Sequence, residues 1–440
     1  MRLLYFILYF TLKYTLRVFY PRIKTVNTPK MFLGRTIYVS NHAASFMDPL
    51  AVAALRPPIV FFMTRSDIFT TFMKPILWAS HMLPIYRQHD GVDTKDENEK
   101  VFEKCARILS FGRNLLIFGE GFTDDTFIRR LKPVKKGAVR IGFFALEKIN
   151  WKKKIYIAAV GCNYSDPNQM RSDLLISTSE RICLNDYRKE YEENPNKTIT
   201  DLTKRIEKLM QEQITHVEEK NWAPFHENVM RLTRKGMNAK NSDTSIPLEK
   251  RWHYSQNLAH WLNARSPEEL TELEGLKTEM DRYFSLIKKM RIDENYLYEK
   301  STTGTISRTS ELMKLIFLFP FMLLGMIHCA PVYLLVKKFV EKSFKRKVFW
   351  GSVKLLLGMI GLGLINIPVI FLFEAFVYPS YWLGFLYYTF IGLFGLAAYM
   401  WFVNYKRFKE KGIVSKADLS RFIAKRNDLL EKIKTEIPVA

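Results

Sequence analysis

Short apolar runs alternate with longer helical stretches between residues 36 and 160. Four of the runs are strand candidates, at residues 36–40, 59–63, 115–118 and 155–160. Residues 98–111 and 137–148 space their apolar side chains as an α-helix does. This alternation predicts an α/β domain, in which functional side chains usually follow the ends of the strands.

Residues 166–314 are charged and mostly helical in pattern, and they carry little recognisable chemistry. Segments 200–219 and 267–290 have helical spacing, whereas the polar stretch 236–245 is typical of a loop. Two interpretations stay open for this region: a solvated helical appendage, or a cover over the active site.

Three apolar stretches follow, at residues 315–336, 355–373 and 382–403, each close to the roughly 20 residues needed to cross a bilayer. The stretch 337–347 is strongly basic, and the tail after residue 404 is basic as well. The positive-inside rule predicts that both basic segments are cytoplasmic.

The α/β domain precedes residue 315, and the basic segment 337–347 follows the first apolar stretch. If both lie on the cytoplasmic side, residues 315–336 cannot make a simple single crossing. We therefore predict a re-entrant or interfacial segment there, because Pro320 and Pro331 disrupt a straight helix and His328 disfavours full lipid exposure. The other two stretches then form a hairpin through residues 374–381. Three full crossings remain the alternative.

The N-terminal ten residues are apolar, but Lys13 and Arg17 follow them and share a helix face. The small-residue cleavage site of a secretory signal does not follow the apolar run. We expect a retained helix at the membrane interface rather than a full span.

The composition indicates which classes of molecule the chain binds. The 440 residues include 67 Lys and Arg against 44 Asp and Glu, a net charge of +23 that attracts anionic partners such as nucleic acid or anionic lipid. Aromatic residues make up 14% of the chain, and together with the long apolar runs they favour membrane lipid over nucleic acid. The four cysteines form no C-x-x-C, so neither a zinc site nor a disulfide framework is indicated.

The first candidate for chemistry is the run from Asn41 to Pro49, directly after a strand candidate. His42 can take a proton from an alcohol, and the carboxylate of Asp48 can fix its tautomer and stabilise its charged form. Taken alone, such a pair is more often structural or incidental.

A second candidate, Arg87, ends a short extended run, and its guanidinium suits a phosphate. A third is the turn of Gly119, Glu120 and Gly121, whose backbone N–H groups suit a phosphate or a developing oxyanion. The plainer interpretations are a surface ion pair for the arginine and an ordinary strand-ending turn for the glycines.

A basic run with Lys135 and Lys136 precedes the second helix candidate. Phosphate binding competes there with ordinary surface charge. The last piece, residues 155–163, suits a pocket wall or simple core.

In this order, the segments resemble the blocks of the PlsC-type glycerolipid acyltransferase family. The first block here has five residues between His42 and Asp48, as in the His-x5-Asp-Pro variant, whereas four are commoner. Phe118 to Gly121 resembles a Phe-Pro-Glu-Gly block with Gly119 in place of proline. After that glycine the family often continues Thr-Arg-Ser, whereas Phe122, Thr123, Asp124 and Asp125 stand here.

The resemblance spans about residues 36–163 and implies a PlsC-like domain with a mixed sheet flanked by helices. It implies that His42 and Asp48 are catalytic and that Arg87, Gly119, Glu120 and Gly121 bind substrate. Lys135 and Lys136 would supply the charge that the missing arginine leaves unfilled. It also implies direct acyl transfer, without a cofactor or metal, from acyl-CoA or acyl-carrier protein.

The acceptor implied first is lysophosphatidic acid, in phospholipid biosynthesis; glycerol-3-phosphate or dihydroxyacetone phosphate is the alternative, and a non-catalytic lipid-binding protein is the alternative of another class. The expected order is a membrane-interface helix (1–30), an acyltransferase core (31–165), a helical appendage (166–314), a membrane region (315–403) and a basic cytoplasmic tail (404–440). The catalytic domain is expected to face the cytoplasm.

Overall fold

The computed structural model describes residues 2–29, 34–55, 60–71, 74–86, 94–121, 123–238 and 240–439. The chain divides into two compact units. A sheet unit consists of Met1–His226, Lys235–Ala239 and Asp243–Ala264. A helical unit consists of Glu227–Arg234, Lys240–Ser242 and Arg265–Ala440.

One mixed sheet organises the first unit. Within the described residues its strands are β1 (Arg22–Val26), β2 (Thr36–Ser40), β3 (Val60–Arg65), β4 (Met82–Ile85), β5 (Asn114–Phe118), β6 (Tyr156–Tyr164), β7 (Asp173–Thr178) and β8 (Ile182–Cys183). Their spatial order is β1-β7-β6-β2-β5-β3-β4, with β8 paired to β6. Strand β6 pairs antiparallel with β7 and β8, and the other neighbours are parallel.

Helices cover the sheet. They are α1 (Arg2–Phe19), α2 (Met47–Leu55), α3 (Lys74–Ala79), α4 (Thr94–Ser110), α5 (Gly137–Lys148), α6 (Arg188–Glu193), α7 (Pro195–Gln213) and α9 (Leu248–Asn263); α8 (Ala223–Thr233) continues into the helical unit. Central strand β2 directs Ile37 and Val39 into a core that includes Leu109 of α4, Phe143 of α5 and Met210 of α7. The α/β class and the mixed sheet with flanking helices are confirmed.

The four strand candidates and both helices between them are confirmed, with ends that shift by a few residues; residue 59 lies outside the described part. The sheet unit continues past residue 165, where the sequence analysis ends the acyltransferase core, because β7, β8, α6, α7 and α9 all belong to it. Helix α7 is not a solvated appendage: its apolar face, including Leu202 and Ile206, is buried in the core of the sheet unit.

Helix α1 is present as predicted. It buries Tyr5 and Leu16 and exposes Phe6, Ile7, Phe10 and Tyr14. This exposed apolar face is compatible with the predicted membrane interface, which stays a prediction.

The helical unit continues with α10 (Pro267–Lys289), α11 (Glu294–Thr303), α12 (Thr309–Ser343), α13 (Trp350–Ile365), α14 (Pro368–Phe376), α15 (Tyr381–Val414) and α16 (Ser420–Glu436). In the described residues, three segments are long and apolar enough to cross a membrane: Thr309–Ser343, Lys347–Phe376 and Tyr381–Val414.

Helices α12 and α15 form an antiparallel pair. Near the start of α12, Trp401 Nε1 donates to the carbonyl oxygen of Leu315 at 3.0 Å. Farther along, Cys329 Sγ donates to the carbonyl oxygen of Ile391 at 3.5 Å. The start of α12 therefore lies beside the end of α15.

The middle apolar segment folds back on itself. Helix α13 begins beside the end of α12, where Lys354 pairs with Glu341 at 2.7 Å, and runs back to Asn366, whose Nδ2 donates to the carbonyl oxygen of His328. Helix α14 then returns, so that Phe371 contacts Tyr381 at the start of α15 with ring centroids 6.0 Å apart. Since α13 begins and α14 ends at the same end of the α12–α15 pair, these two helices form a hairpin that returns to that end, which we call the re-entrant hairpin.

A polar contact holds the tip of this hairpin. Asn366 Oδ1 lies 3.2 Å from Nδ1 of His328, and the Tyr387 hydroxyl lies 2.9 Å from Nε2. Both imidazole nitrogens therefore have partners inside an apolar segment, where an unsatisfied polar group is costly. His328 is half-buried among these partners, and its limited exposure to lipid stays a prediction.

The first apolar stretch does not break at its prolines, because α12 is one helix of 35 residues that contains Pro320 and Pro331. The part that folds back is α13–α14. The basic segments 337–347 and 404–440 lie at opposite ends of the α12–α15 pair. If this pair spans a membrane, the two basic segments lie on opposite sides of it.

Candidate active site

The parallel pairing of β2 with β5 brings two predicted segments together. Ser40 and Phe118 are partners in the register, so the chain leaves both strands at the same edge of the sheet. The Gly119 N–H donates to the carbonyl oxygen of Ser40 at 3.0 Å, and the imidazole of His42 stacks on the Phe118 ring with centroids 4.2 Å apart. The candidate base and the glycine turn thus form one site.

His42 and Asp48 are in hydrogen-bond contact, with Nδ1 3.1 Å from Oδ2. The five intervening residues form a compact turn in which Ser45 has a φ of +54° and the Met47 N–H donates to the carbonyl oxygen of Ala44. A carboxylate only accepts hydrogen bonds, so Nδ1 carries the proton in the neutral ring and Nε2 is left as an acceptor. Nε2 has no hydrogen-bond partner among the described residues, and the side chain is 21% exposed.

Asp48 is fully buried at the start of α2, and each of its oxygens has a donor. Oδ2 also accepts from the Ala44 N–H at 2.9 Å, and Oδ1 accepts from the Tyr164 hydroxyl at 2.9 Å. The positive end of the α2 dipole stabilises a carboxylate at this position. A buried carboxylate with three donors and a helix N-terminus is therefore held in one orientation.

The Glu120 carboxylate connects the loops that follow β2 and β5 with the loop that precedes α5. It is 3% exposed; Oε1 accepts from the His42 N–H at 2.6 Å and Oε2 from the Lys132 N–H at 3.3 Å. Burial raises the pKa of this carboxyl, against the two hydrogen bonds, which lower it. Because both oxygens are occupied, Glu120 fixes the backbone of His42, and this geometry does not favour its predicted contact with substrate.

The backbone N–H groups predicted for an oxyanion are mostly occupied. Gly119 donates to Ser40, and Gly121 donates to the carbonyl oxygen of Phe118 at 3.3 Å. The N–H of Glu120, between them, has no partner within the described part of the chain. Of the N–H groups predicted to bind an oxyanion at this turn, the one of Glu120 is therefore left to do so among the described residues.

The predicted phosphate ligands are only partly brought to the site. The Lys135 N–H donates to the carbonyl oxygen of Gly119 at 2.8 Å, and its side chain is exposed at the glycine turn. Lys136 points instead toward α7, where Nζ donates to Thr200 Oγ1 at 2.7 Å. Arg87 lies outside the described residues, so its predicted role is not placed.

Sequence reasoning missed two residues of the site. Tyr164 ends β6 and reaches Asp48 from 116 positions away, and no local spacing signals that contact. Asn41 exchanges two hydrogen bonds with the backbone of Cys162, at 3.1 and 2.8 Å, and so joins the end of β2 to β6. Its position beside the histidine was the available signal for the asparagine.

Among the described residues no group of three or more His, Cys, Asp or Glu side chains is placed to hold a metal ion. Cys162 is fully buried beneath the site, and burial raises the pKa of its thiol well above the ordinary value. Such a thiol is a poor nucleophile, so the histidine is the group able to accept a proton here.

Comparison with known proteins adds two findings. Residues 22–163 match the family model described as Acyltransferase. Among solved structures, the chain is similar to the 1-acyl-sn-glycerophosphate (LPA) acyltransferase PlsC from Thermotoga maritima, with 15% identity, a TM-score of 0.32, and coverage of 46% of this chain and 79% of that one. No curated protein matches the chain.

Proposed function

Since residues 22–163 form a domain of the acyltransferase family, we propose that the protein is a membrane-bound enzyme that moves a fatty acyl group from an acyl thioester to a hydroxyl of lysophosphatidic acid. The observation that carries this proposal is the His42–Asp48 pair, whose Nδ1 is held by a buried carboxylate while Nε2 has no described partner. A base held in this way is what direct acyl transfer requires.

In the proposed reaction, Nε2 of His42 takes the proton of the acceptor hydroxyl as its oxygen attacks the thioester carbonyl. The tetrahedral intermediate collapses, the carbon–sulfur bond breaks, and the leaving thiolate takes the proton back from the imidazolium. The products are an ester and a free thiol. The protein supplies one proton carrier and no covalent intermediate.

Asp48 keeps the imidazole in the correct tautomer and stabilises its charged form during the transfer. Glu120 acts indirectly. Its carboxylate accepts a hydrogen bond from the backbone N–H of His42 at 2.6 Å and so positions that residue. The backbone N–H of Glu120, which has no partner among the described residues, is the group offered to the developing oxyanion.

Fewer observations support the choice of acceptor than support the base. Lys135 is an exposed cation at the glycine turn, whereas Lys132 is paired with Asp124 at 3.1 Å, and the arginine of the commoner family pattern is missing. A small acceptor such as glycerol-3-phosphate or dihydroxyacetone phosphate remains the alternative. A non-catalytic lipid-binding protein is the alternative of another class, and the buried Asp48 with three donors argues against it, since lipid binding has no use for an oriented base.

Membrane attachment is proposed through the α12–α15 pair, with the re-entrant hairpin beside it. Lysine and arginine cluster at both ends of this pair, so the positive-inside rule does not choose an orientation. We place the catalytic domain on the cytoplasmic side because water-soluble acyl thioesters are cytosolic substrates.

The test is an acceptor panel on the full chain in proteoliposomes with one radiolabelled acyl-CoA. Lysophosphatidic acid, glycerol-3-phosphate, dihydroxyacetone phosphate and lysophosphatidylcholine are offered separately. We expect the highest kcat/KM with lysophosphatidic acid. Preference for a water-soluble acceptor selects the alternative, and no turnover of any acceptor, with acyl-carrier protein also tried as the carrier, removes the proposal.

A further inference from the structure

A cavity of about 530 Å³ lies at the sheet edge opposite His42. It is reached from the N-terminal ends of parallel strands: Phe61 lies at the start of β3, Met82 opens β4, and Arg113 directly precedes β5. The candidate active site follows the C-terminal ends of strands in the same sheet. The cavity is therefore separate from it by the length of a strand, roughly 17 Å.

The ionised groups that line the cavity are all positive. Lys104, Arg107 and Arg113 have exposed side chains, and the lining includes no Asp or Glu. In the part of the chain that the structure describes, none of the three forms a salt bridge. His81 also lines the cavity; burial, with the nearby charge of Arg113, lowers its pKa to about 4, so it is neutral near pH 7. An anion entering the cavity meets three cations that form no salt bridge with a described carboxylate.

Aromatic rings stand beside these cations. Lys104 Nζ lies 5.0 Å from the centroid of the Trp78 ring, and the Arg107 guanidinium lies 5.9 Å from that of Phe111. Phe111 is 71% exposed and Trp78 is 37% exposed. Exposed aromatic rings next to cations are typical of a surface that meets the headgroup region of a bilayer.

Helix α1 adjoins the cavity. The rings of Tyr5 and the cavity residue His81 are in contact, with centroids 4.7 Å apart, so the start of α1 packs against the cavity wall. The same helix exposes Phe6, Ile7 and Phe10. An exposed apolar helix beside a basic cavity suits an amphiphile with an anionic headgroup, whereas a free anion needs only the cations.

We propose that Lys104, Arg107 and Arg113, with Trp78 and Phe111, form a binding site for the headgroup of an anionic phospholipid. The site docks the sheet unit on an anionic bilayer surface at the edge away from the chemistry. It is independent of acyl transfer, and binding there is measurable whether or not the protein turns over.

The test is native mass spectrometry of the detergent-solubilised full chain titrated with phosphatidylglycerol or phosphatidylcholine. The wild type is compared with the variant Lys104→Gln/Arg107→Gln/Arg113→Gln. One cation near an anionic surface contributes about a fivefold gain in affinity, so we expect the Kd for phosphatidylglycerol to rise by about 100-fold and the Kd for phosphatidylcholine to stay the same. All three side chains are exposed, so the variant retains its fold.

A matched control, Lys197→Gln/Lys204→Gln/Lys208→Gln, removes the same charge from the exposed face of α7 and keeps the wild-type Kd. His42→Ala also keeps it, which separates this site from the active site. An unchanged Kd in the first variant, an equal loss in the α7 control, or equal affinity for phosphatidylcholine overturns the proposal. Displacement of the lipid by millimolar inorganic phosphate identifies a free-anion site and also overturns it.

Discussion

Nδ1 of His42 lies 3.1 Å from Oδ2 of Asp48, although five residues separate the two in sequence. The turn that closes this gap places Asp48 at the start of α2 and directs the Ala44 N–H onto the same carboxylate oxygen. The base and its carboxylate are therefore in contact although the loop between them is one residue longer than the commoner family spacing. The proposed chemistry depends on this contact and on the groups that hold it.

Removing the hydroxyl that bonds Asp48 should weaken catalysis without abolishing it. For Tyr164→Phe we expect kcat to fall about tenfold, because a hydrogen bond to a charged group is worth about 1.5–3 kcal/mol. Without this donor the Asp48 carboxylate is held less firmly against Nδ1 of His42, so the loss should appear in kcat. Steady-state kinetics measure it.

The control is Tyr20→Phe, which removes a neighbouring buried hydroxyl that donates to the carbonyl oxygen of Pro167 at 2.8 Å. It should cost similar stability and leave kcat unchanged. If Tyr164→Phe also keeps the wild-type kcat, Tyr164 is only a packing residue.

Glu120→Gln should lower kcat about tenfold, because an amide accepts from one N–H and turns its NH₂ toward the other, which displaces His42. Its effect on stability depends on pH. Burial raises the pKa of Glu120, so its contribution to the free energy of unfolding is present below about 4.5 and is lost as pH rises through the raised value. The stability difference between wild type and variant should shrink across that window in thermal unfolding curves.

Glu207→Gln serves as its control, because Glu207 accepts from the Val134 N–H at 3.1 Å without contacting His42. Full activity in Glu120→Gln would show that the carboxylate does not position the base.

His216 makes the sheet unit sensitive to acid. Its Nδ1 accepts from the Leu131 N–H at 2.9 Å, and burial, with Arg130 and His260 nearby, lowers its pKa to about 4. Because the lowered pKa favours the neutral form, its stabilisation is present above about 6.5 and is lost as pH falls toward 4, by up to about 3 kcal/mol. His216→Gln should flatten part of the stability loss between pH 6.5 and 4; an unchanged slope contradicts this role.

The re-entrant hairpin predicts which loops share a side of the membrane. Single cysteines at Lys345 and Tyr378, in a chain whose native cysteines are replaced by serine, should react with a membrane-impermeant thiol reagent from the same side. A cysteine at Ser415 should react from the other side. Labelling of Lys345→Cys and Tyr378→Cys from opposite sides would require a full crossing by α13–α14.

Local patterns were enough to predict strands β2, β3, β5 and β6, helices α4 and α5, and the His42–Asp48 pair. They did not predict β1, β7 and β8, or the contacts between residues far apart in sequence. Tyr164 reaches Asp48 only because β6 lies beside β2, and the bonds that occupy the Gly119 and Gly121 N–H groups depend on backbone geometry that no residue type reveals.

The fold-back in the membrane region was not predicted, for a related reason. Hydropathy and charge identify apolar segments, but the fold-back of α13–α14 depends on how Asn366 and His328 meet. Proline was a misleading signal, because α12 continues through Pro320 and Pro331.

The role of His42 as the base is tested most directly by single-turnover acyl transfer to lysophosphatidic acid by His42→Ala in proteoliposomes. We expect the rate to fall by about 10²- to 10⁴-fold, with membrane insertion and thermal unfolding unchanged. Transfer at the wild-type rate by a folded His42→Ala protein would show that His42 is not the base.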